Sequence, residues 1–215
     1  MSSDGCKKID ALQFLNEFQT QWIALKSRVG EKAIAEAYDN DGTWTKSMQG
    51  YSADKYRPEA GLLGHQGFLG KIGLALGFDP YQIRREDNKI DCSFFSGAGL
   101  LPNRSSEWGY ASFLSVLIEH ENNLDSIDLE MWKLIFWRAP LKVIITYDRP
   151  EKRRDKDKKY RLDNKLKELK SMLDKVNLDY PEPEGTQYLI IIGDIDASES
   201  IGWRWTTDFN LLTKL

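Results

Sequence analysis

Over residues 9–28 the apolar positions Leu12, Phe14, Leu15, Phe18, Trp22 and Leu25 recur at near-helical spacing. That pattern predicts an amphipathic helix, stopped by Gly30. Residues 31–38 read as a shorter second helix, and residues 39–58 as an irregular excursion, polar and punctuated by glycine with no clear period. Gly61, Gly64, Gly67, Gly70 and Gly73 then fall at every third position. The run is too brief and too poor in proline for collagen. It predicts a loop leading into a closely packed glycine-rich helix that ends by Gly77 and Pro80. A P-loop is excluded, because His65 and Ile72 stand where that motif needs glycine and Ser/Thr.

After Pro80 the period changes. Residues 81–86 and 89–95 flank Asp87-Asn88 as the arms of a hairpin. Residues 113–119 (FLSVLIE), 141–147 (LKVIITY) and 187–192 (QYLIII) are apolar on both faces, as strands covered on both sides are. Residues 125–138 (DSIDLEMWKLIFWR) read as a helix that is apolar nearly all round and therefore buried, ended by Pro140. Residues 157–176 form a long charged helix with Leu162, Leu166, Leu169 and Leu173 as its inner stripe, and an aromatic, polar tail follows Gly193-Asp194. The order predicts a single α/β domain over residues 1–215, a mixed central sheet flanked by helices. Its core spans about 81–192, with the helices of 9–38 packed on it.

Composition adds limits to this picture. A chain of 215 residues, 41% hydrophobic and 29% charged, can bury one good core and is short for two. Cys6 and Cys92 can make no disulfide framework and lack the spacing of a zinc site. No apolar run approaches the roughly 18 residues of a membrane helix. The first ten residues carry no apolar stretch of the secretory kind. A soluble, cytoplasmic protein with no membrane partner is expected. The net charge of −3 does not mark a nucleic-acid binder, yet residues 149–175 hold twelve Lys or Arg against six Asp or Glu. Such a segment either attracts phosphates or is a solvated helix face.

The candidate chemistry lies in the carboxylates. Asp91 sits between Ile90 and Cys92 inside a strand, where a charge is costly unless it is paired or holds a metal. Glu119 closes the next strand, and Glu121, two residues on, points to the same side. If the two strands are neighbours the three acids converge and repel. A hard dication such as Mg²⁺ relieves that repulsion, and so does pairing with Lys or Arg. His120 points to the opposite face, as a packed or surface histidine.

With Asp91 on the second strand and Glu119-His120-Glu121 at the end of the third, the chain resembles the PD-(D/E)XK nuclease superfamily, with its restriction-endonuclease-like αβββαβ core. The resemblance implies Asp91 and Glu119 as ligands of Mg²⁺ (or Mn²⁺). Glu121 occupies the position of the family's lysine, and Lys133, on the following helix, is the candidate to replace that lysine. Ile90 stands where the motif has proline. The implied activity is metal-assisted hydrolysis of phosphodiester bonds in nucleic acid, DNA before RNA, with Asp91, Glu119, Glu121 and Lys133 in the active site. Lys152, Arg153, Arg154, Lys156, Lys158 and Lys159 would hold backbone phosphates without reading sequence, with Arg104 and Arg204 as further candidates. A homodimer suits a nuclease that cuts both strands of a duplex. Two rivals stand beside this reading. One is a dinucleotide-binding domain built on Gly97-Ala98-Gly99, which has Pro102 at the third glycine position. The other is a non-catalytic module on the same scaffold, binding a protein or nucleic-acid partner.

Overall fold

A computed structural model describes residues 7–39, 41–49, 67–87, 89–96, 113–148, 158–195, 201–209 and 213–214. Helix α1 (Ala11–Val29) starts at Asp10, whose carboxylate accepts from the Gln13 backbone at 2.8 Å while the Gln13 side chain accepts from the Asp10 backbone at 3.0 Å. This reciprocal cap satisfies two amides that no helical carbonyl can reach. Gly30, at φ 81°, stops the helix. Phe14, Leu15, Phe18, Trp22 and Leu25 face inward as the spacing predicts, whereas Leu12 faces solvent. Helix α2 (Glu31–Tyr38) follows.

The expected excursion at 39–58 is corrected in its first half, since residues Asp41–Gln49 form a third helix, α3. Its anchors are Trp44 and Met48, one turn apart and both fully buried, too few to print a period on so polar a stretch. The rest of that excursion lies outside the described residues. Helix α4 (Gly67–Ala75) is the predicted glycine-rich helix. A Cβ on Gly73 would stand 2.7 Å from Ile83 and 2.8 Å from Phe94, so glycine lets the helix lie against the sheet.

Seven strands form one sheet in chain order: β1 (Ile83–Asp87), β2 (Ile90–Ser96), β3 (Phe113–Glu121), β4 (Leu141–Asp148), β5 (Gln187–Ile195), β6 (Ile201–Thr206) and β7 (Thr213–Lys214). β1, β2 and β3 pair antiparallel, β3, β4 and β5 parallel, and β5, β6 and β7 antiparallel. The parallel joins require crossovers, and these are α5 (Ile127–Phe136) and α6 (Lys158–Asp179). Helix α1, three strands, α5 and β4 thus follow in the expected order, and the architecture is a mixed sheet flanked by helices. The hairpin turn falls one residue later than predicted, with Lys89 at φ 68°. The aromatic, polar tail contributes β6 and β7, and Ile201 and Trp203 alternate inward with exposed Gly202 between them.

The sheet separates two cores. Helices α1 to α4 cover one face over Phe94, Val116, Ile118, Val143, Ile145, Tyr147 and Trp203. Helices α5 and α6 cover the other over Leu117, Ile144, Ile190 and Ile192. α5 is not buried all round as predicted. Ile127, Met131, Leu134 and Ile135 face the sheet, while Leu129, Trp132 and Phe136 are exposed. A single sheet face can cover only one stripe of a helix. Among the described residues, no helix is long and apolar enough to cross a membrane.

Candidate active site

The register of β2 and β3 pairs Cys92 with Ile118, and one step further it sets Asp91 against Glu119. Two acids opposite each other on antiparallel strands repel unless something intervenes. Two groups intervene. The backbone N–H of His120 donates to Asp91 Oδ2 at 2.7 Å. Lys133 reaches across from α5, and its Nζ donates to Glu119 Oε2 at 3.1 Å and to the Lys89 carbonyl at 3.3 Å. The same ammonium pairs with Glu130, one helical turn earlier on α5. The Glu119 side chain is wholly buried, and its second oxygen, Oε1, has no hydrogen-bond partner.

Burial, and then the neighbouring acids Asp91 and Glu130, push the Glu119 carboxyl up to about 10 against the pull of Lys133. Burial also raises Asp91, with the His120 N–H, Glu119 and Lys133 pulling the other way. Lys133 is raised as well: burial alone would lower it, but its bonds to Glu130 and Glu119 outweigh that loss. Glu121 is raised by burial, and its Oε1 accepts from the Asn123 backbone at 2.9 Å in the turn that leads to α5. The structure therefore brings Asp91, Glu119 and Lys133 together. It places Glu121 at the margin, close enough for the charges of Glu130 and Asp91 to raise it. Three acids around one lysine leave surplus negative charge. Protons relieve it, and a dication would relieve it in their place. Among the described residues no three His, Cys, Asp or Glu side chains are set as a ready ligand group.

His120 lies on the opposite face, where its Nε2 shares a hydrogen bond of 2.8 Å with the Tyr147 hydroxyl. Lys152, Arg153, Arg154 and Lys156 lie outside the described residues. Lys158 and Lys159 open α6, and their side chains lie outside them too. Further along that helix Arg161 pairs with Asp148, and Lys165 with Asp128 and Glu168. Arg204 bonds Asp194 at 3.2 Å; Arg104 and the Gly97–Gly99 segment lie outside the described residues.

Glu130 escaped the sequence reading. Its signal is present, since Glu130 and Lys133 stand three apart in a helix whose one other charge is Asp128, and so share a face. The Lys89 carbonyl has no signature in sequence.

A second lysine is buried elsewhere. Lys142, at the start of β4, is fully enclosed, with Nζ 2.5 Å from Glu182 Oε1 and 3.2 Å from the Tyr188 hydroxyl. Tyr188 in turn donates to Glu182 Oε1 at 2.6 Å. No known family model matches the sequence, and no curated protein matches it.

Proposed function

We propose that the chain is a cytoplasmic, metal-dependent nuclease that hydrolyses phosphodiester bonds of nucleic acid, DNA before RNA, with Mg²⁺ or Mn²⁺ as cofactor. One observation carries the reading. Asp91 and Glu119 stand side by side on paired strands with the Lys133 amine on Glu119, and the remaining Glu119 oxygen is buried without a partner. These are the strand positions that the resemblance to PD-(D/E)XK nucleases assigns to the two metal ligands. The donor set fits a hard cation, because both ligands offer carboxylate oxygen and one oxygen is unspent. Asp91 and Glu119 would hold that cation, which when bound polarises a phosphate and lowers the pKa of water.

The chain's own residues then divide the work. The His120 N–H fixes the direction of Asp91. Lys133 takes the place of the family's lysine, beside Glu121, which holds that lysine's position in the chain and accepts from the Asn123 amide. The basic run from Lys152 to Lys159 supplies charge for backbone phosphates, in keeping with a substrate gripped without sequence readout. A duplex cut on both strands would suit a homodimer.

Cleavage of DNA and RNA substrates, with and without Mg²⁺ or Mn²⁺, tests the proposal against Glu119→Gln. The native protein should cleave only with metal. The variant should lose more than the roughly 10–100-fold that follows loss of a ligand's hydrogen-bond partner. Cleavage that survives the substitution would remove Glu119 from the site. The non-catalytic scaffold has one observation in its favour, the complete burial of a Glu119 already met by Lys133. It requires that no substrate is cut and that metal changes nothing.

A further inference from the structure

Lys133 contacts the same carboxylate that a cation at Asp91 and Glu119 would need. An ammonium and a dication on one carboxylate repel each other strongly where water is scarce. Lys133 sits on Oε2 and leaves Oε1 to a cation, so charge rather than space sets the two against each other, and the packing decides which gives way. Glu119 is fixed, being wholly buried on a strand paired on both sides. Lys133 is a third exposed on a flexible four-carbon stem, and it has two other partners, Glu130 and the Lys89 carbonyl. It can leave Glu119 without becoming an unpaired charge.

We propose that Lys133 and a divalent cation compete for Glu119. On this view Lys133 is the resident partner of Glu119 in the metal-free protein, and metal binding shifts it onto Glu130 and the Lys89 carbonyl. The inference rests on reading the cluster as a metal centre and adds how that centre is held together when empty. Lys133 would serve both as the charge that keeps the acids from splaying the strands apart and, once displaced, as an amine freed beside the metal.

Two measurements test it, neither of them cleavage. Calorimetric titration with Mn²⁺ alone compares the native chain with Lys133→Met, which keeps the apolar stem. Removing the competitor should tighten binding by a factor in the roughly 5–150-fold range of coupled sites. The second measurement needs no variant: reductive methylation of the native protein, read residue by residue by mass spectrometry. Mg²⁺ should speed modification of Lys133 while exposed Lys32 and Lys170 keep their rates. Native-like or weaker Mn²⁺ binding by Lys133→Met would overturn the competition and leave the metal centre standing, as would Lys133 reactivity indifferent to Mg²⁺ in a native chain that binds Mn²⁺. A native chain and a variant that both fail to bind Mn²⁺ would end the metal centre and the competition with it. If Lys133→Met does not fold, the methylation result decides.

Discussion

Two lysines reach glutamates on the same face of the sheet, a half-buried Glu182 and a buried Glu119, and the two places are built on opposite principles. At Lys142 the lysine is the enclosed partner, and the count is balanced. One ammonium meets one carboxylate, and the Tyr188 hydroxyl accepts from Lys142 and donates to Glu182. At Lys133 the acid is the enclosed partner and the count is not balanced, because Glu119, Asp91 and Glu130 share one ammonium; each place also leaves one glutamate oxygen without a partner, Glu119 Oε1 here and Glu182 Oε2 there, so the charge count is what separates them. A balanced buried pair holds structure together. An unbalanced one costs stability and leaves binding capacity, as sites that must receive a ligand do.

The same substitution should therefore act with opposite signs at the two places. Glu182→Gln keeps the shape and an acceptor but strands the Lys142 ammonium, which is fully enclosed. Breaking a buried pair in this way costs about 3 kcal/mol, to be read as a lower urea midpoint at unchanged slope. Glu119→Gln replaces a carboxyl that, pushed up to about 10, must take up a proton when the chain folds at neutral pH, and Lys133 retains Glu130. In the absence of metal that variant should be more stable than the native chain, by roughly 0.5–2 kcal/mol, the usual gain of a single stabilising substitution. A loss of stability there, as large as at Glu182, would make Glu119 a structural residue and erase the distinction.

How far the sequence disclosed this arrangement depends on where each side chain gets its order. β3, β4 and β5 are legible because their apolar runs are themselves the burial, with Val116, Ile118, Ile144 and Ile190 in the core. Asp91 and Glu119 are legible for a related reason: charges in or at the end of such runs ask for partners. α3 is hidden because it hangs on Trp44 and Met48 alone. Glu130 is hidden because its role depends on how α5 is rotated over the sheet, which the apolar residues all round that helix conceal. Lys142 is hidden most deeply. It reads as a polar interruption of an apolar strand, and its partner Glu182 arrives 40 residues later, between two prolines.

The balanced pair also carries a pH signature that the unbalanced one does not share, and its sign can be worked out group by group. Burial lowers Lys142 below its ordinary 10.5, with Glu182 offsetting part of the fall. Between the lowered value and 10.5 the unfolded chain holds a proton that the folded chain has released. Stability should therefore rise with pH across that window. Burial and Glu182 raise Tyr188 above its ordinary 10.0. Past pH 10 the unfolded chain loses that proton first, and stability should fall. Urea unfolding from pH 8 upward, taken as the difference between native protein and variant, separates the two. Lys142→Met should abolish the rise and Tyr188→Phe the fall, each by no more than about 1.4 kcal/mol per pH unit. Either slope persisting in its variant would show that the enclosed lysine and tyrosine are not the groups that titrate. Lys142 would then be screened well enough to behave as a surface pair, and the contrast with Lys133 would reduce to a difference in depth.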